Sequence, residues 1–215
     1  MAENGRTPEL RDKTQKLLNG ALRHVRAAAL AATLVPLGAV AVSPAVAQDC
    51  GSAGCPPAAA AVPSPCDFAT SGGFVVTDRL SMANFGAHGG CKKGAFWGHV
   101  NYVDHANDYH VDSTRITGYL TPTPGSDIRD ICGVADTNSD EPPVLFRVRI
   151  VDNGEPGSSD IFGIRLSNGY HVAPRLLGGG FGGGGNVELH SPNPSTTAPN
   201  PAPNESAMCG GVAAP

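Results

Sequence analysis

The sequence predicts an all-β fold, either an antiparallel sandwich or an up-and-down barrel of about eight to nine short strands. Apolar residues alternate with other residues along 146–151 and again along 161–166, which is the period of a strand with one buried face. Asn153-Gly154 and Pro156-Gly157, which favour turns, separate these two runs and indicate a β-hairpin. No stretch after Ala47 shows a helical period.

The other predicted strands follow at a spacing of roughly ten residues, which is typical of all-β domains rather than of alternating strands and helices. Gly, Asn, Asp and Pro separate them, and Asn168-Gly169 predicts a tight turn within the last part of the series. In chain order the predicted strands are 72–76, 81–87, 95–103, 110–120, 130–136, 144–152, 160–167, 170–176 and 186–190.

Residues 1–47 have the pattern of a secretory signal peptide. A basic segment precedes an apolar run from Ala27 to Val42, and small residues end at Ala47. The apolar run has about 16 residues and is broken by Pro36, so it is shorter than the roughly 20 residues that a membrane span needs. A cleaved signal is the prediction, and an uncleaved anchor is the alternative.

Three further segments follow the signal. Residues 48–71 are rich in Ala, Pro and Cys and predict a linker, while 72–190 contain all the predicted strands and form the β-domain. Residues 191–215 are rich in Pro, Asn, Ser, Thr and Ala, and we expect a disordered tail unless Cys209 ties it to the domain.

Charge excludes one class of partner. Cleavage after Ala47 would remove six of the 15 Lys and Arg residues and three of the 19 Asp and Glu residues, which leaves a formal charge of −7 with His neutral. Nucleic-acid surfaces need clustered positive charge, so no nucleic acid is expected as a partner. Membrane contact is expected only through the signal peptide during export.

All six cysteines follow the predicted signal, and an even number in an exported chain indicates disulfides. No pair forms a CxxC, so the usual spacing of a structural zinc site is absent from the sequence. Cys91 precedes the third predicted strand and Cys132 lies in the fifth, and we expect these two to pair. The remaining pairs would be Cys66 with Cys209 and Cys50 with Cys55.

The loop between the two hairpin strands offers several oxygen ligands. Asp152, Asn153, Glu155 and Asp160 lie close together in sequence, and Ca²⁺ accepts six to eight oxygens from irregular loops. One interpretation is a possible calcium site, and no other cofactor is expected. In the alternative interpretation, Asp152 and Asn153 accept hydrogen bonds from backbone amides of the turn, and Pro156-Gly157 sets its bend.

Histidines and aspartates also cluster around the link between the third and fourth strands. They could bind Zn²⁺ or Cu²⁺, or supply the base of a hydrolase. The alternative is a set of exposed or hydrogen-bonded side chains, and only His105 and His110 could meet across a hairpin. The residues concerned are His99, Asp104, His105, Asp108, His110 and Asp112.

Two groups of side chains suggest ligand binding. Arg147, Arg149 and Arg165 are predicted on the outward face of the hairpin, where they could recognise sulfate, phosphate or uronate groups. The alternative is that acids of adjacent strands balance them. Trp97 could stack on a sugar ring if it is exposed, or it could pack against its neighbours.

A resemblance to a known family rests on five segments in order: NFGAHGGCKKGAFWGHVNYVDH, YHVDSTRITGY, DIRDICGVA, FRVRIVDNGEPGSSDIFGIRLSNGY and GGNVELH. Together they resemble exported bacterial β-domains that often follow a choice-of-anchor domain and are called post-COAP domains. The resemblance covers about Gly72 to His190, and DNGEPG is its most specific piece. It implies a bacterial secreted module beside adhesion or surface-anchoring segments, and it implies no reaction.

These observations predict an exported, non-enzymatic module for binding, adhesion or envelope structure, in the periplasm or outside the cell. Its expected partner is a carbohydrate or a cell-surface component. The alternatives are a secreted hydrolase that uses the His and Asp side chains around residues 104–112, and a calcium-stabilised structural domain.

Overall fold

The computed structural model describes residues 59–139, 142–181 and 183–215. In this part of the chain, nine strands are joined by short turns, with a 3₁₀ turn at Leu177–Gly180 and a helix α1 at Glu205–Cys209. The strands are β1 (Phe68–Val76), β2 (Met82–Lys92), β3 (Ala95–Asp104), β4 (Tyr109–Leu120), β5 (Ile128–Thr137), β6 (Val144–Val151), β7 (Ile161–Leu166), β8 (His171–Leu176) and β9 (Gly185–His190).

The strands form one antiparallel sheet in the order β8-β7-β6-β5-β4-β3-β2-β1-β9. Each strand from β1 to β7 pairs with the next one along the chain, and β9 returns to the free side of β1. The prediction of an all-β fold is confirmed, and the sheet is an up-and-down sheet that curls into a half-barrel.

Part of the predicted N-terminal organisation lies outside the described residues. This applies to the signal peptide at 1–47, to 48–58 of the linker and to the expected Cys50–Cys55 pair. The prediction that the linker extends to residue 71 is wrong, because β1 begins at Phe68 and its first residues pair with both β2 and β9. No helix in the described part of the chain is long and apolar enough to cross a bilayer.

The core lies inside the curl of the sheet. The ring of Phe85 on β2 stacks on that of Phe162 on β7 with centroids 3.9 Å apart, and Tyr102 on β3 stacks on the same Phe162 ring at 6.0 Å. Strands that are distant in the sheet therefore face each other across the interior. The alternating hairpin residues are buried as predicted: Phe146, Val148, Ile150, Phe162, Ile164 and Leu166.

The C-terminal tail packs against the other face of the sheet. Helix α1 lies on β4, where the Thr117 hydroxyl donates to the Met208 carbonyl at 2.6 Å. A Cβ at Gly118 would overlap the Met208 side chain, so this close approach requires glycine. The sequence predicts a disordered tail unless Cys209 ties it to the domain. Cys209 does so, because it forms a disulfide with Cys132 of β5, and the tail is ordered.

The two disulfides of the described residues are Cys66–Cys91 and Cys132–Cys209. The predicted pairs Cys91–Cys132 and Cys66–Cys209 are therefore wrong. Cys91 belongs to the main core inside the curl, whereas Cys132 follows the core residue Ile131 and so points to the opposite face. The sheet therefore separates the Cys91 and Cys132 side chains, so they cannot pair with each other.

Candidate functional site

The predicted arginine face is organised by one carboxylate, that of Asp130 on β5. Arg147 donates to its Oδ2 from Nε at 2.9 Å and from Nη2 at 2.6 Å. Arg149 donates to Oδ1 from Nε at 2.7 Å and to Oδ2 from Nη2 at 2.8 Å. These hydrogen bonds raise the pKa of Arg149. Asp130 is fully buried, and both of its oxygens are taken up by these two guanidinium groups.

The C-terminal tail covers this cluster. Glu205 of α1 accepts from Nη1 of Arg147 at 2.6 Å, and the Ala214 carbonyl accepts from Nε of Arg165 at 3.1 Å. The alternative of a solvated arginine face balanced by acids is therefore seen in part: Asp130 pairs with Arg147 and Arg149, whereas Arg165 donates to a carbonyl of the tail and the face is covered. Anion recognition by Arg147 has no support here, because its guanidinium is buried and already paired.

Trp97 is partly exposed on β3 and is surrounded by neighbours. Its Nε1 donates to the Cys91 carbonyl at 3.2 Å, the Phe68 ring lies 6.0 Å away, and the Lys92 ammonium lies 5.7 Å from the indole centroid. Trp97 packs against its neighbours, as one alternative predicted, and its exposed part could still contact a ligand, as the other predicted. Stacking of Trp97 on a sugar stays a prediction.

The acidic loop between β6 and β7 holds the edge strand β9. Asp152 accepts from the Leu189 amide at 2.9 Å, and Asp160 accepts from the Val187 amide at 2.7 Å. These two amides lie on the side of β9 that faces away from β1. The carboxylates thus satisfy a sheet edge that would otherwise expose unpaired backbone donors.

The remaining candidate calcium ligands make contacts of the same kind. The Asn153 amide donates to the second oxygen of Asp160 at 2.8 Å, and its side chain donates to the Ser159 carbonyl. Glu155 accepts from Asn186 at 2.9 Å. In the described part of the chain, no group of three or more His, Cys, Asp or Glu residues is placed to hold a metal ion. The four residues therefore order the loop and its contact with β9.

We expect Asp160→Ala to lower the free energy of unfolding by about 3 kcal/mol, because the buried Val187 amide and the partly buried Asn153 amide lose a charged acceptor. Urea denaturation followed by circular dichroism measures the change. Glu155→Ala is the matched control in the same loop, and since its carboxylate is exposed we expect a loss of at most about 0.5 kcal/mol. Equal losses in the two variants would contradict the role assigned to Asp160.

The predicted His and Asp cluster does not come together. Each histidine has its own partner, so no two of the three share a site. The pairs are His105 with Asn84 at 2.6 Å, His110 with Asp108 at 3.1 Å and His99 with Asp112 at 3.0 Å.

One hydrogen-bonded chain has the residue types of a hydrolase. The Ser113 hydroxyl lies 3.2 Å from Nδ1 of His99, whose Nε2 contacts Asp112. However, the Ser113 hydroxyl is buried and accepts from the Val100 amide at 2.8 Å, while the Asp112 side chain is 64% exposed. A catalytic arrangement needs the reverse, an accessible nucleophile with a sheltered orienting carboxylate. This geometry does not favour the hydrolase.

A cavity of about 490 Å³ opens where the β1–β2, β3–β4 and β7–β8 turns meet, and we call it the turn cavity. Sequence reasoning did not predict it, because its lining comes from turns far apart in the chain. Among the side chains that line it are Arg79, Asp104, Asn107, Tyr109, Tyr170 and His171.

A buried hydrogen-bond network fixes the floor of the turn cavity. The Tyr102 and Tyr170 hydroxyls are 2.7 Å apart, and Tyr170 donates to Asp104 at 2.9 Å. The Ala106 amide and the Asn107 side chain donate to the same carboxylate. Burial would raise the pKa of Asp104, but these hydrogen bonds outweigh it and lower the pKa, so the carboxylate stays charged. Burial raises the pKa of Tyr102 to about 12.

The wall of the turn cavity combines aromatic rings with planar polar groups. The rings of Tyr109 and Tyr170 stack with centroids 4.8 Å apart, and Asn168 donates to the Tyr109 hydroxyl at 2.8 Å. Arg79 donates from Nη1 to the Asn107 amide oxygen at 2.6 Å. Each polar group is held by another, so the arrangement is formed before any ligand arrives.

Comparisons with family models, with curated proteins and with solved structures gave no match for this chain. The resemblance to post-COAP domains therefore stays a prediction.

Proposed function

We propose that the chain is an exported, non-enzymatic binding module that takes a carbohydrate in the turn cavity. One observation carries the proposal: the stacked Tyr109 and Tyr170 rings stand beside Asp104, Asn107 and Arg79 in a single cavity. This combination of aromatic surface with a few fixed polar groups is the usual composition of a small-molecule site.

The chemistry of the lining suits a sugar better than a purely apolar ligand. A pyranose presents C–H groups that pack on an aromatic ring and hydroxyls that both donate and accept hydrogen bonds. The exposed Arg79 offers donors and the exposed Asn107 amide offers both a donor and an acceptor, while the buried Asp104 holds Asn107 and Tyr170 in place. The cavity volume of about 490 Å³ falls in the range of ligand pockets.

Export is supported by the signal-like pattern of residues 1–47 and by two disulfides, which persist in oxidising compartments. The resemblance to post-COAP domains also favours a secreted or periplasmic module near a cell surface. The exposed carboxylate and buried hydroxyl of the Asp112–His99–Ser113 chain argue against a hydrolase.

A glycan array of the purified protein tests the proposal. We expect binding to a defined set of saccharides, and we expect Arg79→Ala to weaken it by about tenfold, since a charged hydrogen-bond donor is lost. Arg115→Ala, which removes an exposed arginine of β4 outside the cavity, is the matched control and should bind like the wild type. Binding that is insensitive to Arg79→Ala, or no bound glycan at all, would refute the proposal.

A further inference from the structure

The large hydrophobic side chains that are exposed in the described residues gather at one place. Leu80 at the β1–β2 turn is 87% exposed, and Phe181, which directly follows the 3₁₀ turn at Leu177–Gly180, is 95% exposed. With Leu176 of β8 they line a second cavity of about 430 Å³, and Met82 pairs across the hairpin with Val76 of the same cavity. We call this group the apolar cleft. Patches of this kind mark interaction sites.

The β1–β2 turn presents Leu80 in a fixed position. The Thr77 amide donates to the Ser81 carbonyl at 2.8 Å, the Leu80 amide donates to the Thr77 carbonyl at 2.9 Å, and the hydroxyls of Thr77 and Ser81 are 2.8 Å apart. Leu80 itself has φ +56°, a left-handed conformation that leucine rarely adopts. An exposed leucine held in this conformation is typical of a functional contact rather than of a loose loop.

The apolar cleft adjoins the turn cavity. Thr77 lines both cavities, and Arg175 of the apolar cleft forms an ion pair with Asp78 of the turn cavity. The turn cavity and the apolar cleft are thus neighbours, and the Arg175–Asp78 ion pair lies between them.

From these observations we propose that the ligand is a glycolipid, with its sugar in the turn cavity and an acyl chain on the apolar cleft. The oxygen-rich linkage between sugar and lipid then lies at the Arg175–Asp78 ion pair, where the exposed part of the guanidinium donates to an ester or glycerol oxygen. This inference rests on the proposed function, because it extends the same site. A lipid surface alone would leave the turn cavity unused, and a free sugar would leave the apolar cleft uncovered.

Vesicle co-sedimentation tests the inference with the full protein. The probes are phosphatidylcholine vesicles with and without glucosyl, galactosyl or mannosyl diacylglycerol, and the matching methyl glycosides in solution. We expect at least one glycolipid vesicle to bind about tenfold more tightly than its methyl glycoside, because the acyl chain adds apolar contact. Plain phosphatidylcholine vesicles should not bind.

The matched variant removes the apolar contacts and leaves the sugar site intact. Leu80→Gly suits the left-handed backbone, and Phe181→Ser changes a side chain that is almost fully exposed, so neither threatens the fold. We expect the double variant to lose about tenfold in glycolipid binding and to keep the methyl glycoside affinity. Arg175→Lys, which keeps the charge but removes the planar guanidinium, should also weaken glycolipid binding.

The outcomes separate the two proposals. Methyl glycoside binding with no gain from the lipid, or unchanged binding by the double variant, would overturn the glycolipid inference and leave the carbohydrate site standing. Equal binding to plain phosphatidylcholine would overturn it as well, in favour of a lipid surface. If no saccharide of the array binds, the proposed function fails, and the glycolipid inference that rests on it fails as well.

Discussion

Replacement of Asp130 by alanine is expected to lower the free energy of unfolding by about 4 kcal/mol, because it leaves two guanidinium groups without their carboxylate. Asp130 is fully buried and takes four hydrogen bonds from Arg147 and Arg149. Arg147 is itself enclosed by the tail and would keep only Glu205 as a charged partner. Chemical denaturation of the purified variant measures the loss.

Two variants calibrate this result. Asp127→Ala removes an exposed carboxylate just before β5, and we expect it to change stability by at most about 0.5 kcal/mol. Asp130→Asn keeps the shape and one acceptor and should fall between the two. A loss of less than about 1 kcal/mol in Asp130→Ala would contradict a buried ion cluster, since that is the range of exposed pairs.

Most of the strand series could be predicted because period-two alternation is a local signal. The hairpin residues along 146–151 and 161–166 are buried as the pattern indicated, and the turn at Asn168-Gly169 lies between β7 and β8. The start of β1 was missed because residues 68–71 include small and polar side chains without an alternating pattern. Their strand conformation depends on partners on both sides, β2 and β9.

The candidate site could not be predicted in the same way. Arg79, Asn107 and Tyr170 lie on three turns, and only the curl of the sheet brings these turns to one cavity. The stacking of Phe85 on Phe162 shows how far the curl acts, since β2 and β7 are separated by four strands in the sheet order. Alternation specifies which face a residue takes, but it does not specify which distant turns meet.

The burial of the arginine face also could not be predicted from alternation. Alternation placed Arg147 opposite the core, and that placement is correct, yet the side chain is buried. The reason is the tail, whose composition predicts disorder and whose order depends on one covalent bond and on contacts such as Glu205 with Arg147. The composition of a segment indicates how much apolar surface it can bury by itself. The tail is ordered instead by its contacts with the sheet that it covers.

Removal of the Cys132–Cys209 bond by a double replacement with alanine is expected to cost about 4 kcal/mol. The bond spans 77 residues, and loop-closure entropy predicts a penalty of this size for the more flexible unfolded chain. Loss of this disulfide also frees the tail, so Arg147 and Arg165, which the tail covers, should become more exposed to solvent. Denaturation measures the stability, and hydrogen exchange at the Met208 and Gly210 amides measures the opening.

The other disulfide provides the matched comparison. Cys66–Cys91 spans only 25 residues, so the same relation predicts that its removal costs about 1 kcal/mol less. Its loss should leave the α1 amides protected, because it belongs to the core inside the curl, whereas α1 is tied to β5 through Cys209. If instead the shorter bond proved the more stabilising, or the tail amides stayed protected without Cys209, the tail would be held by its polar contacts rather than by the covalent bond.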